Sequence, residues 1–581
     1  MNKTLSLLLL PWLVLLCTRM VAARMVYLSP DLLERLHQVQ AAQQQQQQLD
    51  AVLKKQLTEC TRQGTFPVAG RTLAQKVEEA QTFLDRELGN GEVVGTGVTI
   101  VYEDKVVFSK GYGLKKYGDS QSTVKDTTLF QIGSLSKTFV TLAIATLVDD
   151  GKFQWTDPVK MHLPSLQLYD KYAEEHVTIG DLLAMNSGFG AILDLGWGAG
   201  IYKNDSDLVA HLKFAKPQHS LREQYDYANV NFAILGQLIE AVTGQCWDAY
   251  LAQRIWRPLG MTRTFAAASV AEGDPDMSSG HFVCGKDVRG PYNLITAPEV
   301  QLLPGVQGGK LAAGSIVSCA ADMAKMVRLM LNKTHVDNVQ IFKSTSLVST
   351  MITGKVPLSA QIRAIIGAGG QEIDTDGSTL AAGYGLDVVG HVMWGKAYYE
   401  KLGDTASHQT RSGFAPAQRL GMVFMANSQL PEGHMSHFVD HLRSYVMGIF
   451  LDVPKDLLDY SYRQWRNADR LQPQPFGVPL CGPRFMDPRP APASLDEHVR
   501  KAMTGMYIPE ESPEYYGQAQ ILEVNGTLAL HVGAITAPLD PIATEGKNTW
   551  VFRWSDTNIV AIARMDDGKF MIDFGLSYRQ Q

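Results

Sequence analysis

Residues 131–152 read QIGSLSKTFVTLAIATLVDDGK, two hydroxyls and one ammonium at the mouth of a run that is otherwise almost wholly apolar. From Phe139 to Val148 apolar residues fall on nearly every face at helical spacing, which predicts a helix buried on all sides, with Gly151 suited to its C-terminal cap. Ser134 and Lys137 stand three apart and share a face in the first turn, so the ammonium comes within reach of the hydroxyl. Burial pushes a lysine toward its neutral form, and a neutral amine can take the proton of a serine hydroxyl. The N–H groups at the helix start are placed to stabilise an oxyanion. A serine cap followed by a solvated lysine gives the same pattern, so the motif needs partners elsewhere in the chain.

Two further stretches supply candidates. In YDYANVNFAILGQLIEAVTG, Tyr227-Ala228-Asn229 directly precedes a helix marked by Phe232, Leu235, Ile239 and Val242. In a loop, two-residue spacing lets both side chains point into one cleft, where a tyrosinate or a hydrogen-bonded tyrosine relays protons. The alternative is a core tyrosine and a capping asparagine. In YYEKLGDTASHQTRSGFAPAQRLGMVFMANS, the run LGMVFMA predicts a buried strand, with Lys401-Leu402-Gly403 upstream of it.

GSLSKTF, Tyr227-Ala228-Asn229 and Lys401-Leu402-Gly403 together resemble the S-x-x-K, Y-x-N and K-T-G elements of serine β-lactamases and penicillin-binding proteins. The likeness is to the branch of class C β-lactamases, D-alanyl-D-alanine carboxypeptidases and esterases. It extends over about residues 75 to 450 through DLLAMNSGFG, LAAGSIVSCAADMAKMV and AAGYGLDV, and through Pro416 five residues before Gly421. The resemblance implies an α+β fold of the β-lactamase/transpeptidase type: an antiparallel sheet flanked by helices, with a helical insert and the active site between them. It implies that Ser134 attacks a carbonyl, Lys137 and Tyr227 manage protons, and Asn229 and Lys401 orient the substrate. Gly403 is expected to let the strand backbone approach the substrate, and the Asp404 N–H to join that of Ser134 in the oxyanion hole. Leu402 and Asp404 depart from the family pattern. The acidic Asp404 is expected to favour substrates bearing an amine over carboxylates, and His408 is a rival to Lys401 for the third element. The family uses neither metal nor organic cofactor, so none is expected.

Outward from this centre the chain of 581 residues, 45% hydrophobic and 19% charged, has the composition of a folded globular protein. A net charge of −6 without a long basic block gives no footprint for nucleic acid or an anionic membrane. The expected partner is a small-molecule or peptide acyl substrate. Residues 1–24 read as a secretory signal, with an uncleaved signal anchor as the alternative, and place the protein outside the cell or in the secretory lumen. Sequons at Asn204, Asn332 and Asn525 agree with a eukaryotic secretory route. Past the signal, which holds Cys17, five scattered cysteines, Cys60, Cys246, Cys284, Cys319 and Cys481, leave room for one or two bridges and at least one odd thiol.

The expected division is a signal segment (1–24), a glutamine-rich segment read as a weak helix or tether (25–70), a catalytic domain (71–455), a Pro-rich linker (456–496) and a small antiparallel β domain (497–581). The last is marked by turns at Asn525-Gly526 and Asp567-Gly568 and resembles the lipocalin-like barrel that some of these hydrolases carry. The favoured function is ester or amide hydrolysis through a serine acyl-enzyme. Acyl transfer on the same fold, a catalytically silent binding protein, and a self-assembling secreted protein are the other readings.

Overall fold

The computed structural model describes residues 30–297, 300, 309–368, 370, 380–430, 437–470, 495–544, 546, 548–554 and 559–581. The signal segment, the Pro-rich run 471–494 and Cys481 lie outside the described residues. The chain divides into two units, Met1–Glu59 and Cys60–Gln581. The glutamine run lies in a long helix, α1 (Pro30–Gln63), most of which belongs to the first unit. No helix of the described residues is long and apolar enough to cross a membrane.

In the second unit α2 (Leu73–Leu88) opens with a capping box: Thr72 accepts from the Gln75 N–H while the Gln75 side chain accepts from Thr72 N at 2.9 Å. The sheet starts with the hairpin β1 (Gly95–Tyr102) and β2 (Lys105–Gly113). Its turn residues Glu103 and Asp104 have φ of 49° and 64°, the left-handed pair that matches the twist of two antiparallel strands. β3 (Leu386–Met393), β4 (Lys396–Asp404), β5 (Gln409–Ala415) and β6 (Leu420–Ala426) complete its centre. Among the described residues the antiparallel sheet has eight strands, in the order β2-β1-β6-β5-β4-β3 followed by the short strands Ala381–Gly383 and Val356–Pro357. β6 is buried at every position, which explains why LGMVFMA is continuously apolar and does not alternate.

The apolar run of the opening motif forms α3 (Ser136–Asp149), with Ser136 through Leu147 all buried. Each fully buried Leu, Ile or Phe there stabilises the fold by about 2 kcal/mol relative to exposure, so α3 is a structural centre as well as a carrier of chemistry. It ends at Asp150, and Gly151 follows with φ of 70°. α4 (Val230–Thr243) packs on α3 and closes on the left-handed Gly244. α5 (Ala320–Asn332) packs on β1 and β6, and α6 (Phe438–Phe450) on β5 and β6.

The expected linker at 456–496 is corrected at its start. Lys455–Arg470 is a helix, α7, that packs on α6. Leu457, Leu458, Tyr460, Ser461 and Tyr462 are buried, and the Tyr462 ring meets Phe83 and Tyr445 edge-on. An amphipathic stripe outweighs the charged residues around it; the prolines begin only at Pro473.

The C-terminal region is a closed eight-stranded barrel running from Gly505–Pro509 to Ser577–Gln580. Its two marked turns are left-handed pairs, Asn525-Gly526 (52°, 79°) and Asp567-Gly568 (49°, 77°). The barrel docks on the segment Leu193–Tyr202. Tyr515 donates its hydroxyl to the Leu193 carbonyl at 2.9 Å, Tyr202 donates to the Tyr515 carbonyl at 2.6 Å, and Ala534 N donates to the Ala199 carbonyl at 2.9 Å. Of the cysteines, Cys284 is disulfide-bonded, Cys319 is a buried thiol and Cys246 an exposed one. Of the sequon asparagines, Asn204 and Asn525 are exposed, whereas Asn332 is partly buried and donates its amide to Asp104 at 2.8 Å.

Candidate active site

Ser134 sits in a single turn of 3-10 helix, Gly133–Leu135, that leads into α3. Two glycines bring this turn against the end of β4. Gly133 has φ of 53°, and a Cβ there would lie 2.7 Å from the backbone N and O of Asp404. A Cβ on Gly403 would lie 1.9 Å from the Ile132 carbonyl oxygen. The sequence suggested that Gly403 admits substrate to the strand; in the structure the space it leaves is filled by the nucleophile turn itself. That contact brings the backbone N–H of Asp404 next to Gly133, one residue from Ser134.

Lys137 is fully buried, and its Nζ has three partners: Ser134 Oγ at 2.9 Å, Asn229 Oδ1 at 2.5 Å and the Ala313 carbonyl at 2.8 Å. The last two can only accept. A neutral amine therefore spends both N–H groups on them and turns its lone pair to the serine hydroxyl. The rings of Tyr227 and Phe232 lie 5.0 and 5.6 Å from Nζ. Burial above all, and the nearby Lys401 ammonium, hold the Lys137 pKa well below the ordinary lysine value, against the opposing pull of Asp194 and Asp387. Tyr227 donates its hydroxyl to Ser134 Oγ at 2.7 Å. Loss of solvation and the Asp387 charge hold its pKa well above the usual tyrosine range, the direction that favours the hydrogen-bonded phenol over the tyrosinate.

Residues 71–440 match a known family, under the description Beta-lactamase. The chain belongs to the beta-lactamase family. Protein flp of Staphylococcus aureus (strain NCTC 8325 / PS 47) is 29% identical over 228 residues, 39% of this chain and 44% of that protein. Unguisins hydrolase ungD' of Aspergillus campestris is 27% identical over 283 residues, 45% of this chain and 50% of that protein. The chain thus spans about half the length of these curated relatives. The octameric penicillin-binding protein homologue from Pyrococcus abyssi shares the fold, with a TM-score of 0.52 at 20% identity, over 87% of this chain and 100% of that one.

Within this beta-lactamase-family site, Asn229 stands at the start of α4 without capping it by its side chain. It bridges instead, accepting from Lys137 and donating Nδ2 to Asp194 at 2.7 Å and its backbone N to the same carboxylate at 3.0 Å. Desolvation raises the Asp194 pKa to about 7, the Lys137 charge and the Asn229 bonds opposing it. Lys401 is not free: its Nζ lies 2.6 and 2.8 Å from the two carboxylate oxygens of Asp387 on β3. Asp404, expected to colour the cleft with its charge, is held by Arg411 at 3.0 and 3.1 Å and by Gln429 at 2.8 Å. A buried guanidinium, shared with Asp440, thus partly offsets that carboxylate. His408 lies in the core with its ring nitrogens on Ser278 and Ser407, and burial lowers its pKa to about 3, so it is no substitute for Lys401.

Sequence analysis alone does not single out Asp194 and Asp387. Each is one carboxylate in an apolar context, ILDLGW and GLDVV, and such a group needs a polar partner when folded. That is the signal that could have found them. Among the described residues no group of three or more His, Cys, Asp or Glu is disposed to hold a metal ion.

Proposed function

We propose that this protein is a secreted serine hydrolase that cleaves an ester or amide through an acyl-enzyme on Ser134. One observation carries the reading: Ser134 Oγ is held between Lys137 Nζ at 2.9 Å and Tyr227 OH at 2.7 Å while Asn229 and the Ala313 carbonyl occupy both N–H groups of the neutral amine. The depressed pKa of Lys137 adds to it, since a neutral amine is the base this geometry needs. A relative named as a hydrolase agrees with the reaction class, and the leader-like sequence of residues 1–24 with secretion.

In the proposed reaction Ser134 Oγ bonds to the acyl carbon and its proton passes to Lys137. The N–H groups of Ser134 and Asp404 receive the oxyanion. As the carbonyl re-forms, the bond to the leaving oxygen or nitrogen breaks, and that atom takes the proton through the Tyr227 hydroxyl. Water, deprotonated by the same pair, then attacks the acyl carbon, and the proton it gives up returns to Ser134 as the acid leaves. Transfer to an alcohol or amine in place of water uses the same groups and differs only in the acceptor.

The test is mass spectrometry of the purified protein after exposure to a fluorophosphonate and, separately, to a penicillin, with Ser134→Ala beside it. A fluorophosphonate adduct on the Ser134 peptide, missing in the variant, is expected. A folded protein that neither reagent modifies would return the fold to the binding reading.

A further inference from the structure

We propose that this site selects acyl donors that carry no carboxylate beside the reacting carbonyl, because Asp387 already occupies the cation that would receive one. The inference rests on the hydrolase reading above and concerns its substrate class.

Lys401 is the residue on β4 whose ammonium would attract an anionic substrate group. Asp387 takes it with both oxygens. The carboxylate is itself fixed, accepting from the Leu402 N–H at 3.1 Å, so the clamp is built into the strand pair. The two ends of the pair are unequal toward solvent: the Lys401 side chain is 2% exposed and that of Asp387 23%. An approaching substrate meets the anion first. Behind it the Lys401 ammonium lies 5.2 Å from the centre of the Tyr227 ring, covered by the residue that bonds Ser134.

The other basic groups in the walls of the site are no better placed. Lys137 is fully buried and committed to Ser134, Asn229 and Ala313. Arg411, also fully buried, bridges Asp404 and Asp440, the latter at 2.8 Å. A substrate carboxylate would therefore have to displace Asp387 from a two-oxygen pair or stay beside its charge, and either is unfavourable. A neutral ester or amide meets no such opposition, and an amine would find the exposed edge of Asp387.

Three fluorophosphonates of one chain length, with tails ending in a methyl, an ammonium and a carboxylate group, test this through their rates of labelling Ser134 in the full-length protein. The carboxylate probe is expected to react about tenfold or more slowly than the methyl probe, and the ammonium probe at least as fast as the methyl one. Asp387→Asn keeps an acceptor for Leu402 N but releases the lysine charge, so the carboxylate probe should gain about tenfold relative to the methyl probe. Adding Lys401→Met to Asp387→Asn should erase that gain. Equal rates for the three probes on the wild-type protein would overturn the selectivity and leave the hydrolase reading intact, and this comparison stands even if the variants do not fold. A folded Asp387→Asn variant that keeps the wild-type ratios would also overturn it. A folded wild-type protein that none of the three probes labels would remove the hydrolase reading and this inference with it.

Discussion

Tyr515, in the connection between the first two strands of the barrel, donates its hydroxyl to the carbonyl of Leu193, 2.9 Å away and one residue before Asp194. Asp194 in turn holds Asn229, and Asn229 holds Lys137. The C-terminal barrel is thus two hydrogen bonds and one peptide unit from the asparagine that orients the lysine.

Tyr515→Phe removes the bond, at a cost of about 0.5–1.5 kcal/mol, while the Leu193 carbonyl keeps the Leu195 N–H as a donor. If the barrel helps to position the site, labelling of Ser134 by a fluorophosphonate should slow at temperatures where the variant is still fully folded. Thermal unfolding followed alongside separates the two effects. A lower Tm with an unchanged labelling rate would make the barrel a passive appendage.

Gly403→Ala places a Cβ 1.9 Å from the Ile132 carbonyl oxygen and 2.9 Å from Leu135 N. Both are backbone atoms of the turn that carries Ser134, so rotamer changes cannot relieve the clash. The turn or the strand must shift. A loss of at least about 1–3 kcal/mol in stability is expected, with a larger proportional loss of Ser134 labelling, because a misplacement of about 1 Å at the nucleophile can cost about a hundredfold in rate. Chemical denaturation and labelling rates on the same preparation check the two parts.

Ser134, Lys137, Tyr227 and Asn229 were legible in the sequence because their spacing is local: three residues within one helical turn, two within one loop. The hairpin turns were legible because Asn-Gly and Asp-Gly relieve a backbone demand that few other pairs can meet. Asp194 and Asp387 were not, since each reaches its partner through tertiary packing. Asp194 lies 35 residues before Asn229, and Asp387 lies 14 before Lys401 on the neighbouring strand. The charge of Asp404 was visible, but the arginine that offsets it was not. α7 was misread for the opposite reason: its apolar stripe, Leu458, Tyr462 and Trp465, is plain at helical spacing but stands next to a Pro-rich run.

Asp194→Asn should shift the pH dependence of Ser134 labelling. The Asp194 carboxylate raises the Lys137 pKa, and burial and Lys401 lower it. Removing the negative charge leaves only Asp387 opposing those two, so the lysine pKa falls further and its neutral form appears at lower pH. The acidic limb of the labelling profile is expected to move to lower pH while Asn229 retains a hydrogen-bond partner. Because burial pushes Asp194 up to about 7 and Asn229 links it to Lys137, the limb is expected to belong to the Lys137–Asp194 pair and not to one residue. The groups facing the pair are Lys401, Asp387, Tyr227, Tyr515 and Tyr516, all intact in the variant. A variant that labels more slowly at every pH with the limb unmoved would assign Asp194 a purely structural role.

Among the described residues Asp205, 5% exposed, accepts only from Ala312 N at 3.1 Å and has one oxygen without a partner. Desolvation raises its pKa from 3.8 to about 7, which at about 1.4 kcal/mol per pH unit costs the ionised form up to about 4 kcal/mol. Between those two values the folded protein holds a proton that the unfolded chain has released, so stability falls as pH rises through this window. Asp205→Asn keeps an acceptor for Ala312 N and has no charge to desolvate. The variant should therefore be more stable than the wild-type protein above pH 7, with the advantage fading as pH falls toward 4. Denaturant midpoints measured for both proteins across that range test it. Parallel curves would show that the Asp205 carboxylate is solvated in the folded state.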